Sequence, residues 1–140
     1  MNKASILYID GSVKGNPGDA GIGGVILSHE EKVLSEFSKY IGIATNNVAE
    51  YKALIYGLEE CKKLGIERVE IRTDSSLLIN QIEGKFRIRN SKLIKLAIEA
   101  RRSLRDFKEW KLVSVNRKDN KIADSLANLA MRRCDSESRH

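Results

Sequence analysis

The chain has 140 residues and 41% hydrophobic composition, enough for one domain around one sizeable core and too apolar for intrinsic disorder. Its 25 Lys and Arg against 19 Asp and Glu leave a net charge of +6, which favours a polyanionic partner. The longest clean apolar stretch, Ala20 to Leu27, contains three glycines and falls far short of the roughly 18 residues of a membrane span. The opening Met-Asn-Lys-Ala-Ser runs straight into a strand-like segment without a signal-peptide layout, so a cytoplasmic protein with no membrane partner is expected. Cys61 and Cys134 are far apart and neither histidine, His29 or His140, lies near them, which argues against a zinc site. Cys61 reads as a small buried hydrophobe, with a Cys61–Cys134 disulfide as the lesser alternative in a reducing compartment.

Residues 3–10 (K-A-S-I-L-Y-I-D) are apolar and β-branched on both faces and predict a central strand covered on each side. The glycine-rich G-S-V-K-G-N-P-G-D-A-G reads as the turn to a second strand near 21–28. A third strand near 32–41 completes an antiparallel meander. The period then changes: Val48, Tyr51, Leu54, Ile55, Leu58 and Cys61 repeat every 3.6 residues, and Gly65 stands where a helix C′ glycine belongs. A strand at 67–73, helices at about 75–82 and 91–106, a strand at 110–116 and a last helix over Ile122–Ala130 follow. Residues 1–133 read as the folded domain, and 134–140 as a flexible C-terminal tail. The order βββαβααβα implies an α/β fold: a mixed five-stranded sheet flanked by helices on both faces, with the first and fourth strands parallel neighbours.

Charge is uneven along this order. Lys85 to Lys121 holds 13 Lys/Arg and 4 Asp/Glu, a net of 13 − 4 = +9, so the remaining residues sum to −3. The segment reads either as a solvated helix face or as a phosphate-contacting surface. The glycine-rich turn lacks the Lys-Ser/Thr of a phosphate-binding loop and is better explained as a hairpin.

Four carboxylates stand where strands end or helices begin. Asp10 follows the apolar run I-L-Y-I, where a buried carboxylate costs several kcal/mol unless paired or on a metal (roughly, in the range for such groups). Glu50, Asp74 and Asp124 each have a structural explanation: a capping box Asn47-x-x-Glu50, an N-cap at Asp74, and a first-turn acid complementing the helix dipole at Asp124. Parallel neighbouring strands, however, bring Asp10 and Asp74 side by side at strand ends, where open α/β sheets place their sites. Four converging carboxylates would repel one another and protonate unless a hard divalent cation, magnesium above all, sits among them.

Y-I-D-G-S at 8–12 with Asn16, T-N-N-V-A-E at 45–50, T-D-S at 73–75 and N-K-I-A-D-S-L-A at 120–127 resemble the type 1 ribonuclease H family over Ile6 to Met131. The variant resembled is archaeal in type and lacks the family's basic handle. The resemblance implies a ribonuclease H catalytic domain over 1–133. It would be an endoribonuclease that hydrolyses the RNA strand of RNA–DNA hybrids and leaves 5′-phosphate and 3′-hydroxyl ends. Position by position, Asp10, Glu50, Asp74 and Asp124 match the metal-binding acids, which would hold two Mg2+ ions with substrate, Mn2+ being able to substitute. Asn16, Asn46 and Asn47 match residues touching the hybrid's minor groove. Thr45 and Asn90 match a pocket gripping a DNA-strand phosphate, and Gly11 and Ser12 would bring backbone close to the RNA sugars. A monomer is expected.

The chemistry agrees with these residue types. Two ions about 3.5–4 Å apart activate a water and stabilise a leaving oxygen, and short amide groups can read 2′-hydroxyls in a shallow minor groove. Two departures stand out. Arg117 occupies the loop before the last helix, where many members carry a histidine, and is the expected catalytic counterpart. The extra basic helix has no room between Ile82 and Ser91, so Lys85, Arg87 and Arg89 are expected to compensate in part. The alternatives are a DNA-cutting nuclease or transposase of the same superfamily, with differently spaced acids, and a silent hybrid-binding module lacking some of them.

Overall fold

The computed structural model describes the backbone of residues 3–138 and side chains through Arg132. Its elements are β1 (Ser5–Gly15), β2 (Gly18–Leu27), β3 (Val33–Ala44), α1 (Asn46–Lys63), β4 (Arg68–Thr73), α2 (Ser76–Ile82), α3 (Ser91–Leu104), β5 (Glu109–Ser114), a 3-10 turn (Arg117–Asp119) and α4 (Lys121–Ser138). The strands form one sheet in the order β3-β2-β1-β4-β5, antiparallel from β1 to β3 and parallel where β4 meets β1 and β5. This is the expected mixed α/β sheet.

One face of the sheet carries the main core. Leu7 and Ile9 of β1 and Val69 and Ile71 of β4 are fully buried beneath Leu54, Leu58 and Cys61 of α1, with Ala97, Ala100 and Leu104 of α3 completing the layer. Each such large aliphatic side chain contributes about 1.5–3 kcal/mol through burial. On the opposite face α4 lies directly on β2. An added Cβ at Gly21 would come within 2.4 Å of the Ala127 carbonyl oxygen, and one at Gly23 within 2.4 Å of that of Ala123. Gly21, expected at the end of the turn, and Gly23, expected in the strand, thus serve helix packing.

The glycine-rich turn is shorter than expected. β1 continues to Gly15, which pairs with Gly18, so only Asn16 and Pro17 turn the chain. Antiparallel pairing with β2 satisfies the backbone of residues 11–15 and outweighs their turn-like composition. At the other end α4 runs on to Ser138, through most of the stretch expected as a tail; no Gly or Pro after Met131 interrupts it. Cys61 is a free, buried thiol, its pKa pushed up to about 12 by burial, as expected of a core residue; the Cys134 side chain lies outside those described. Among the described residues no helix is long and apolar enough to cross a membrane.

Candidate active site

β1 pairs with β4 only as far as Tyr8 and Arg72. Beyond that point β1 continues alongside β2 alone, and a notch opens at the carboxyl ends of the two parallel strands. Asp10 stands on β1 at this notch and Asp74 directly follows β4. Glu50 enters from the second turn of α1 and Asp124 from the first turn of α4. Carboxylate oxygens of Asp10, Glu50 and Asp74 all lie within 4.8 Å of one another, and Asp124 faces Asp10 closely enough to raise the pKa of its carboxyl. All four acids predicted from sequence therefore converge.

The structural explanations for Glu50 and Asp74 fall away, while Asp124 does stand in the first turn of α4 as the dipole reading expects. Thr45, not Asn47, caps α1, its hydroxyl oxygen accepting the Val48 N–H at 3.3 Å. Glu50 therefore lies beyond the N3 position a capping box requires. Its Oε1 instead accepts the Gly11 N–H at 3.1 Å, while its Oε2 is buried without a partner. Gly11 makes this approach possible, because a Cβ there would stand 2.6 Å from the Ala49 carbonyl carbon and 2.8 Å from the Glu50 nitrogen. Its lack of a side chain answers first to α1. Ser75, not Asp74, caps α2 by accepting the Leu78 N–H, which leaves the Asp74 carboxylate to the notch.

Burial pushes the Asp10 carboxyl up to about 9, reinforced by the neighbouring Glu50 charge, the hydrogen bond with Asp124 and the charges of Asp74 and Asp124. Burial likewise raises Glu50 to about 7, although the Gly11 N–H, Asp10 and the Arg117 charge favour its ionised form. An acid cluster in which Asp10 and Glu50 are raised above their ordinary range, with an unsatisfied buried oxygen on Glu50 and only oxygen donors, fits a hard divalent cation. Asp10, Glu50 and Asp74 would supply the ligands, with Asp124 beside them.

Arg117 lies in the 3-10 turn before α4 and, with Asp74, Ser76, Ser114 and Asn116, lines a polar recess of about 520 Å³ next to the acids. His29 sits in the β2–β3 turn, its Nε2 3.6 Å from a Glu30 oxygen, and plays no part here. Asn90 caps α3, its Oδ1 accepting the Lys92 and Leu93 N–H groups at 2.9 and 3.1 Å. Leu93 and Leu96 of α3 pack on Ala44, Val48 and Ala49, so the capped ends of α1 and α3 are neighbours. Capping commits the acceptor oxygens of Thr45 and Asn90 and leaves the Thr45 O–H and the Asn90 amide N–H groups as donors. Two helix N-termini with outward donors suit an anion.

Asn16, at the β1–β2 turn, accepts the Asn46 N–H on its Oδ1 at 3.0 Å and ties the hairpin to the start of α1. Asn46 and Asn47 form that helix's first turn. The Ser12 hydroxyl donates to Asn128 Oδ1 at 2.7 Å, so its side chain faces α4 and only its backbone remains for a ligand. Asn120, quoted within a motif but given no role of its own, is 1% exposed and donates from Nδ2 to the Ile9 carbonyl at 2.8 Å. The signal was present in the spacing: Asn120, Asp124 and Asn128 recur every four residues on an otherwise alanine-rich helix face.

Comparison with known proteins agrees with this geometry. A family model described as reverse transcriptase-like matches residues 8–130. Over 124 residues the chain is 40% identical to ribonuclease HI of Halobacterium salinarum, covering 89% of this chain and 62% of that protein. The crystal structure of RNase H1 from that archaeon has a TM-score of 0.91 at 38% identity and covers 92% of this chain and 98% of that one. Bifunctional protein Rv2228c of Mycobacterium tuberculosis is 39% identical over 90% of this chain, which spans 35% of its length. LC11-RNase H1, solved in complex with an RNA/DNA hybrid, has a TM-score of 0.88 at 36% identity, with 93% and 98% of the two chains covered. The chain thus spans less than two thirds of the Halobacterium and Mycobacterium proteins but nearly all of the two solved domains. A shared sheet order, near-complete structural overlap and identity near 40% lead to one assignment: the chain belongs to the ribonuclease H family.

Proposed function

We propose that the protein is a metal-dependent endoribonuclease that hydrolyses the RNA strand of RNA–DNA hybrids and leaves 5′-phosphate and 3′-hydroxyl ends. The observation that carries this reading is the convergence of Asp10, Glu50 and Asp74 within 4.8 Å, with Asp124 beside them, in a chain of net charge +6. Two Mg2+ ions, or Mn2+ in their place, would be held by the four acids; when bound, such a pair activates the attacking water and offsets charge on the leaving oxygen.

The remaining work belongs to the chain. The Gly11 N–H holds Glu50 by one oxygen and turns the other toward the notch. Arg117, charged at any working pH, offsets developing negative charge from the polar recess or helps product leave, and does not accept a proton. The donors of Thr45 and Asn90 grip a DNA-strand phosphate. Thr45 and Glu50 are five residues apart on one helix, about 7.5 Å along its axis, so grip and chemistry are rigidly spaced. Asn16, Asn46 and Asn47, with the backbone at Gly11 and Ser12, face the minor groove and read its 2′-hydroxyls. A 5′-labelled RNA strand annealed to DNA, incubated with Mg2+ and resolved beside a hydrolysis ladder, tests the proposal. Internal cuts with 3′-hydroxyl ends support it; an intact RNA strand, or cuts that persist in EDTA, contradict it.

A further inference from the structure

We infer that Asn120 is a positioning residue that sets the register of α4 against β1 and thereby holds Asp124 opposite Asp10. The inference rests on the proposed role of these acids. Asn120 immediately precedes α4, and its carbonyl accepts the Asp124 N–H at 3.1 Å. An asparagine in that place ordinarily turns its side-chain oxygen onto the free N–H groups of its own helix. Here Oδ1 is buried without a partner, and Nδ2 instead donates to the carbonyl of Ile9, the residue before Asp10. The side chain forgoes its local cap to make a bond across 111 positions of sequence.

The rest of the interface supplies closeness without register. Near the acids α4 lies on Gly23 through its own backbone and presents Ala123 and Ala127, with Ala130 and the Met131 side chain reaching Gly21 further along. Such a smooth track lacks the ridges and grooves that lock one element along another. Position along the track falls to polar bonds: Asn120 to Ile9, Ser12 to Asn128, and Ser38 to the Leu126 carbonyl on the β3 side. Asp10 and Asp124 form the rung between the first two. From Asp124 to Asn128 the helix rises about 6 Å over four residues, which nearly matches the two strand residues, about 6.8 Å, from Asp10 to Ser12.

The test places Asn120→Ala and Asn120→Ser in the wild-type and Asp124→Asn backgrounds. It reads Mn2+ affinity by calorimetry without substrate, melting temperature without metal, and kcat and KM on a labelled hybrid. In the wild-type background Mn2+ affinity and kcat should fall about tenfold or more, in the range seen when groups that orient metal ligands are removed. In the Asp124→Asn background the same substitutions should change either by less than about twofold, while the melting temperature drops equally in both, as expected of coupled and independent effects respectively. If the alanine variant does not fold, the smaller serine, whose hydroxyl is too short to reach Ile9, carries the same comparison. Unchanged Mn2+ affinity in a folded variant, or equal losses in both backgrounds, overturns the inference. A wild-type protein that binds Mn2+ but cuts no hybrid would contradict the proposed activity, while the binding isotherms still decide the role of Asn120.

Discussion

Without a cation, Asp10 and Glu50 hold protons that the same groups release in an unfolded chain. Their folded values, raised to about 9 and about 7, lie above ordinary values of 3.8 and 4.5. The folded state therefore binds more protons than the unfolded state between about pH 4 and pH 9, and stability from these groups is lost as pH rises through that window. Asp10→Asn removes the larger share. In EDTA at pH 8 its melting temperature should exceed that of wild type by a few degrees, and its decline with pH should be flatter. Turnover should nevertheless fall by at least about 10²-fold, the scale set by loss of one preorganised electrostatic group. Melting curves across pH with and without Mg2+, paired with initial rates, check both halves; near-wild-type turnover would remove Asp10 from the site. Arg117 makes a different demand. Exposed in its turn beside the acids, it should act on charge that develops during reaction. Arg117→Ala should lower kcat roughly tenfold, about 1.4 kcal/mol of barrier, with KM nearly unchanged. A change confined to KM would mark it as a phosphate clamp.

The two capped helices carry the next prediction. Asn90 uses Oδ1 to cap α3 and keeps its amide hydrogens outward, so Asn90→Asp retains the cap and loses the donors. Stability should hold in Asn90→Asp and fall by about 1 kcal/mol in Asn90→Ala. KM should rise severalfold in Asn90→Ala and further in Asn90→Asp, whose added negative charge repels a phosphate; in Asn90→Ala the slope of affinity against salt should not change, because a neutral donor displaces no counterion. Denaturant titration beside KM at several salt concentrations separates the two roles. These helices also show what was legible in the sequence. The switch from period 2 to period 3.6 after β3 marked α1, and Gly65, at φ +74°, closes it where expected. The start of α1 was misread because Thr45, Asn46 and Asn47 are all good caps, and only packing selects Thr45. The four acids were legible because each lies within a short motif at an element boundary. The four-residue spacing put Asn120 and Asn128 on one helix face with Asp124, but their roles were not legible, because their partners, Ile9 and Ser12, lie more than a hundred residues away. Gly21 misled for a related reason: in sequence, a glycine admitted for close helix packing looks the same as one in a turn.

For the whole molecule the question is what a surface without the extra basic helix can hold. Of the 13 Lys and Arg between Lys85 and Lys121, three are engaged within the protein: Lys85 with Glu83, Lys108 with Glu67, and Arg101 with the carbonyls of Gln81 and Ile82. The other ten, 13 − 3, are exposed. Affinity for a duplex should therefore fall log-linearly with salt, and cutting should be nearly blind to sequence, since phosphate contacts carry no base information. Selectivity then rests on 2′-hydroxyls on one strand and, on the other, a DNA backbone able to bend a phosphate into the pocket at Thr45 and Asn90. The most direct measurement is kcat/KM, in Mg2+, on three duplexes of one sequence: RNA–DNA hybrid, RNA–RNA and DNA–DNA. The expected result is hybrid first, RNA duplex slow at best and DNA duplex uncut; appreciable cleavage of the DNA duplex would contradict the account.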